Sequence, residues 1–190
     1  MNNTASQGGV SWGRIARRIR VPLGFLFAAF YFWRARPDWA SLFVGAAVAA
    51  LGVFVRAMAS GHVKKNEELA TAGPYAYCRN PLYLGSILLA IGFAVAARDV
   101  WVAVGIVVLF TAIYVPVIRS EEAFLRLRFK KYDEYARRVP RLLPRTVWMS
   151  GLTAGFSRVL YLQHNEYNVL IGAAAMLAAL VLKMYWLSHP

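Results

Sequence analysis

Four stretches of this chain are apolar and long enough to cross a bilayer, which limits its fold more than any other feature: Trp39 to Ala59, Pro81 to Ala97, Val100 to Ile118 and Tyr167 to Leu187. A helix needs roughly 20 apolar residues to span about 30 Å of hydrocarbon. A weaker fifth segment, Val21 to Trp33, is flanked by Pro22 and by Arg34-Ala35-Arg36-Pro37, and it begins before Val21. Asp38 and then Arg98-Asp99 mark tight turns between consecutive helices. The expected fold is all-α: a polytopic membrane helix bundle of about five transmembrane helices. A hydrophobic content of 59% in 190 residues suits one small membrane bundle better than a soluble domain.

The charge is lopsided, with 22 Lys plus Arg against 9 Asp plus Glu. Such a balance suits nucleic acid, an anionic membrane surface or an anionic substrate. Nucleic acid is disfavoured, because the basic residues sit between apolar runs and not on a polar domain. Seventeen of the cations belong to the N-terminus (Arg14, Arg17, Arg18, Arg20), to the loop from Ser60 to Asn80 (Lys64, Lys65, Arg79) and to the stretch from Arg119 to Tyr167, including Arg145. The other side has Arg34, Arg36 and Arg98. The positive-inside bias therefore puts the N-terminus and both long loops in the cytosol and leaves His189-Pro190 outside. Arg56 and Lys183 lie near helix ends, where long stems can snorkel, and Trp33, Trp39, Trp101 and Trp186 stand where interface anchors belong. The single cysteine, Cys78, excludes an internal disulfide. No secretory signal is visible at the N-terminus, and Asn2-Asn3-Thr4 matches a glycosylation acceptor only formally.

Everything with chemical capacity thus falls on the cytosolic side, and three constellations stand out there. Asn80-Pro81 reads as a helix start, an N-cap followed by proline at the first helical position. Arg79, Tyr75, Tyr77 and Tyr83 converge on the same point, and a helix N-terminus beside an arginine suits a carboxylate or phosphate. Glu121-Glu122 ends the apolar part of the fourth long segment, where adjacent carboxylates oppose the helix dipole unless the helix continues or a cation answers them. Helical spacing of Leu125, Phe129, Tyr132 and Ala136 predicts continuation as an amphipathic helix, and one glutamate should turn inward toward Arg79. Val139-Pro140-Arg141-Leu142-Leu143-Pro144-Arg145 is bounded by prolines and cannot be regular helix. Its backbone groups are open either to a ligand's heterocycle or to a turn. His62 is a lone loop histidine. No G-x-G, Walker A, H-E-x-x-H or paired-cysteine pattern occurs, so a soluble dinucleotide loop and a metal site lack support.

Taken in order, Gly73-Pro74-Tyr75, Arg79-Asn80-Pro81-Leu82-Tyr83-Leu84-Gly85, Glu121-Glu122-Ala123-Phe124-Leu125, Phe129-Lys130-Lys131-Tyr132-Asp133-Glu134-Tyr135 and Val139-Pro140-Arg141 resemble one family. It is the integral membrane methyltransferase group of isoprenylcysteine carboxyl methyltransferases and phospholipid N-methyltransferases. The resemblance spans about residues 60–145, within a single membrane-embedded domain (1–190) that closes with a membrane helix at about 167–187. Two positions depart from the group's pattern. Asn80 stands where histidine is usual, so no group at that position titrates near neutral pH, and Lys130 replaces a common glycine.

The resemblance implies S-adenosylmethionine as methyl donor, S-adenosylhomocysteine as product, and a cofactor pocket on the cytosolic side. Arg79, Asn80 and Tyr83 would contact the amino acid end or position the acceptor. Glu121 and Glu122 would hold the amino or ribose groups, and His62 would reach the carboxylate. Tyr135 and the backbone around Val139 to Leu142 would cover the adenine, and Tyr75 would complete the cofactor pocket. Arg79, Glu121 and Glu122 are the residues implied for catalysis. Partners are membrane lipids and a lipophilic or amphiphilic acceptor, whether carboxylate, amine or thiol. An NADPH-dependent sterol-reductase-like enzyme and a non-enzymatic lipid-binding module are the competing readings. The sequence leaves oligomeric state open, although Gly45, Ala49 and Gly52 form a small-residue stripe fit for close helix packing.

Overall fold

The structure, a computed structural model, describes residues 12–64, 67–144 and 155–188, leaving aside the side chains of 12–21, 23, 187 and 188. Lys65, Arg145, His189-Pro190, the Asn2-Asn3-Thr4 pattern and the side chains of Arg14, Arg17, Arg18 and Arg20 lie outside the described residues. In chain order come α1 (Trp12–Arg34), α2 (Trp39–Ser60), a 3-10 turn (Gly73–Ala76), α3 (Pro81–Ala97), α4 (Val100–Arg128), α5 (Tyr132–Arg138), α6 (Arg158–Gln163) and α7 (Tyr167–Ser188). No strand occurs among the described residues. α2, α4 and α7 are long and apolar enough to cross a membrane, and α3 is a shorter apolar helix. This is an all-helical membrane protein. α1 begins well before Val21, as its flanks suggested, and carries Pro22 within it.

The two predicted tight turns meet and tie one end of the bundle together. Asp38 opens α2 through a reciprocal cap: the Ser41 N–H donates to Asp38 Oδ1 at 2.7 Å and the Asp38 N–H donates to Ser41 Oγ at 3.0 Å. Arg98 takes a left-handed conformation (φ 50°), and Asp99 then caps α4 by accepting from the Val102 N–H at 3.0 Å. The turns exchange ion pairs, Arg98 to Asp38 and Arg34 to Asp99 at 2.6 Å, while the Arg36 N–H donates to the Ala97 carbonyl. Behind them lies a closed apolar core of Tyr31, Ala35, Leu42, Ala96, Ala97, Val102 and Leu180. Lys183 does not snorkel away from this end; it donates to the carbonyls of Phe32 and Trp33, capping α1.

α2 and α3 approach until their backbones touch. A Cβ on Gly45 would stand 2.5 Å from the Gly92 carbonyl oxygen, and one on Gly52 would stand 2.6 Å from the Leu89 nitrogen. The stripe Gly45, Ala49, Gly52 is therefore engaged within the chain, against Gly85, Leu89 and Gly92. Small residues at this spacing let helices gain dispersion contacts where lipid offers no hydrophobic driving force. Elsewhere large side chains such as Phe43, Phe54, Val107 and Leu182 stay exposed, as a lipid-facing surface requires, and Trp33, Trp39, Trp101 and Trp186 are exposed near helix ends.

Two elements differ from expectation. α4 does continue past the glutamates, but the amphipathic helix is not continuous: the chain breaks over 129–131 and restarts as the short α5. Phe129 is extended, and the Tyr132 N–H donates to its carbonyl, so the helical spacing of Phe129 and Tyr132 reflects a turn between two helices. α6 was not expected, because its apolar run Val159-Leu160-Tyr161-Leu162 is too short to show helical periodicity. It is started by Ser157, whose side chain accepts from the Leu160 N–H, and held to the end of α2 by the Ser157 N–H donating to the Gly61 carbonyl at 2.9 Å.

Replacing Gly92 by Leu should cost about 3 kcal/mol or more, since the added side chain meets backbone that cannot yield. A thermal melt of the detergent-solubilised protein would register this as a clear downward shift. Gly172→Leu on α7, with open space around its Cα, should leave the melt unchanged.

Candidate functional site

At the end opposite the paired turns the bundle opens into a cavity of about 700 Å³. Its making starts at Gly73, whose φ of +58° and tight contact with the His62 ring leave no room for a side chain. Pro74 and Tyr75 follow, both buried, and the chain then runs without regular structure through Cys78, a bend at Arg79, and Asn80 into α3. This run lies beside the proline-bounded segment. The Arg79 N–H donates to the Pro140 carbonyl at 2.9 Å, the Cys78 thiol to the Leu142 carbonyl at 3.0 Å, and Asn80 Nδ2 to the Arg141 carbonyl at 3.1 Å. Three carbonyls of that segment, those of Pro140, Arg141 and Leu142, are thus bound by the protein's own groups.

Asn80 stands at the N-cap position, yet its side chain makes no capping bond. Its amide nitrogen donates to Glu122 Oε1 at 3.2 Å as well as to the Arg141 carbonyl. Two N–H groups on one nitrogen serve two acceptors, which an imidazole nitrogen, with one hydrogen at most, cannot do. That gives a physical role to the departure at this position.

The adjacent glutamates part company, because neighbours on a helix point about 100° apart. Glu122 is buried and turns inward as expected. Arg141 grips it with two bonds, Nε to Oε1 at 3.0 Å and Nη2 to Oε2 at 2.7 Å, and Arg79 Nη1 lies 3.6 Å from Oε1. This carboxylate holds the Arg141 pKa above its usual value. Glu121 is exposed and lines the cavity, whereas Glu122 does not. Of the other expected residues, Tyr75, Arg79, Asn80, Tyr83 and Tyr135 line the cavity. His62, Val139 and Leu142 do not: the His62 ring packs on Gly73 and Phe156 with Nδ1 2.6 Å from the Met58 carbonyl. Tyr135 supports the wall by donating to the Tyr75 carbonyl at 2.7 Å. Burial pushes the Tyr75 and Tyr135 phenols well above their usual pKa and the Cys78 thiol up to about 11, so all three stay protonated at neutral pH.

Sequence reading missed several lining groups. Arg56 does not snorkel but faces inward, bound to Glu166 through Nε (2.9 Å) and Nη2 (2.8 Å) and to Ser86 Oγ through Nη1 (2.5 Å). A cation within an apolar helix could have signalled this, since such groups face a partner or a cavity more often than lipid. Tyr114, which packs edge-on against Tyr83, and Tyr132 also line the cavity. Tyr132 is 1% exposed and lies under the influence of the Arg79 guanidinium. Its Oη and Arg79 Nε, both buried, lack a partner at close hydrogen-bond geometry, and the two side chains answer each other across the looser contact. Such atoms are costly unless something binds them.

The profile of a phospholipid methyltransferase family matches residues 39–132, from the start of α2 to the start of α5. The chain is similar to the cobalt-zinc-cadmium resistance protein CzcN of Cupriavidus metallidurans, with 32% identity over 77% of this chain and 71% of the relative. It is also similar to the nickel-cobalt-cadmium resistance protein NccN of Alcaligenes xylosoxydans xylosoxydans, with 33% identity over 57% of this chain and 55% of that protein. No solved structure matches.

The two glutamates should separate on substitution. Glu122→Ala leaves Arg79 buried and unpaired, which should cost about 3–5 kcal/mol and lower the melting temperature sharply. Glu121→Ala should stay within about 0.5 kcal/mol of wild type.

Proposed function

The chain belongs to the phospholipid methyltransferase family, and on that premise we propose that it transfers a methyl group from S-adenosylmethionine to a lipophilic or amphiphilic acceptor reaching the cavity from the membrane. The observation that carries this reading is one cavity lined together by Arg79, by the exposed Glu121 carboxylate and by the aromatic rings of Tyr75, Tyr83 and Tyr135. At about 700 Å³ the cavity has the size of small-molecule sites, roughly 300–1,000 Å³.

The residues suit this donor. Arg79 offers hydrogen bonds to its carboxylate, Glu121 accepts from its ammonium or ribose, and the faces of Tyr75, Tyr83 and Tyr135 suit a sulfonium and an adenine ring. When bound, S-adenosylmethionine supplies a methyl group activated by positively charged sulfur. The protein's own work is then to orient and to exclude water. Phe124, Leu125 and Phe129 form an apolar border for that purpose. Glu122 acts one layer back: it neutralises Arg79 from behind and fixes where that guanidinium points. No acid–base role falls to Asn80, and His62, Val139 and Leu142 support the wall without touching the ligand. The cation bias supports a site facing the cytosol. The relatives' names place them in metal resistance. In that setting we assign this chain an organic acceptor, in keeping with the apolar and aromatic residues that line the cavity.

Calorimetry on the full chain in detergent tests the reading. S-adenosylmethionine and S-adenosylhomocysteine should bind wild type and NADPH should not. Arg79→Lys and Glu121→Gln should each weaken S-adenosylhomocysteine roughly tenfold or more, the worth of one hydrogen bond to a charged group. Binding of NADPH instead, or of no nucleotide, would overturn it.

A further inference from the structure

The cavity has a second polar pole that the donor's chemistry leaves unused. Arg56 of α2, Ser86 of α3 and Glu166, immediately before α7, all line it. Their hydrogen bonds leave an uneven residue of capacity. Four of the guanidinium's five N–H groups are taken, by the two Glu166 oxygens, by Ser86 Oγ and by the Leu82 carbonyl at 3.3 Å. The Ser86 hydroxyl hydrogen is spent on the Leu82 carbonyl at 3.1 Å. Each Glu166 oxygen accepts one bond and can accept another, and Ser86 Oγ keeps a lone pair. The pole therefore retains several acceptor sites against a single N–H, with its net charge already balanced.

We propose that Arg56, Ser86 and Glu166 form the head-group subsite for the acceptor, selecting a hydrogen-bond-donating, non-anionic head, an ammonium or a hydroxyl, over a carboxylate. This rests on the reading of the cavity as a methyltransferase site only in naming the occupant the acceptor. An anionic head would meet one donor and the repulsion of Glu166, whereas a donating head finds Glu166 held in place by Arg56. Leu82, Leu89 and Val169 lie on the same wall and offer an apolar surface for the attached chain. α7, which supplies Val169, exposes Leu170 and Ile171 to the lipid side. An amphiphile sliding in beside α7 meets its tail surface and its head-group pole together.

Octylamine, octanol and octanoate serve as probes, measured by saturation-transfer NMR against the full chain in nanodiscs with empty nanodiscs as blank. Wild type should bind the amine, the alcohol or both about tenfold more tightly than octanoate. A preference for the amine alone assigns an ammonium head, and equal binding of the alcohol assigns a hydroxyl. The double variant Arg56→Met with Glu166→Gln removes both charges together, avoiding an unpaired buried ion. It should abolish the preference while S-adenosylhomocysteine affinity stays at its wild-type value. Ser86→Ala, a milder change, should reduce the preference about threefold, and this holds the test open should the double variant not fold. Octanoate binding as tightly as octylamine, or a preference that survives these substitutions, overturns the proposal. If wild type bound no S-adenosylhomocysteine, the methyltransferase reading would fall while the selectivity of the pole would stand or fall on its own measurements.

Discussion

The direct contact of α2 with α3 is the constraint from which the site follows. Glycines on both helices bring the two backbones within a distance that no side chain permits. At the site end of this seam Gly85 lies against the Arg56 stem, a Cβ there falling 2.6 Å from Cγ. That proximity lets a cation on α2 reach Ser86 and the Leu82 carbonyl of α3. A wider helix pair would leave the guanidinium facing lipid, where an unpaired charge costs several kcal/mol. Packing and chemistry are here one interaction at two depths.

Glu122 does for the aqueous wall what the glycine seam does for the membrane wall. One buried carboxylate gathers Arg79, Asn80 and Arg141 from two distant stretches of chain. The run into α3 then bonds to the carbonyls of the segment after α5, once through its backbone and otherwise through the side chains of Cys78 and Asn80. α4 makes this possible by its length: 29 residues rise about 43 Å, beyond the hydrocarbon. Its last turns carry Glu121 and Glu122 clear of the lipid.

What could be read from sequence divides along physical lines. Apolar length places α2, α3, α4 and α7, and the acid and arginine residues at 38, 98 and 99 mark the two turns, because those signals are local. The inward turn of one glutamate toward Arg79 was legible from the cost of adjacent carboxylates at a helix end. Which glutamate turns, and which lines the cavity, depends on the rotation of α4 against its neighbours, and that is a tertiary fact. The same holds for Asn80, whose local pattern says cap while two distant acceptors claim its amide. Arg56 and Glu166 are 110 positions apart, and no periodicity links them. α6 was invisible because six residues are too few for helical periodicity to show.

The Arg56–Glu166 pair also bears on how the protein is made. α2 enters the membrane early in synthesis carrying a cation that nothing upstream of it answers. Ser86 and the Leu82 carbonyl arrive with α3 and offer it neutral acceptors, but the opposing charge comes only with Glu166, just ahead of α7. Until Glu166 is made, the bundle holds an arginine without its counter-charge, a costly state for a group at membrane depth. The helix that Glu166 precedes, mostly lipid-facing and sparsely packed, is thus tied to the bundle by a charge laid down much earlier in synthesis.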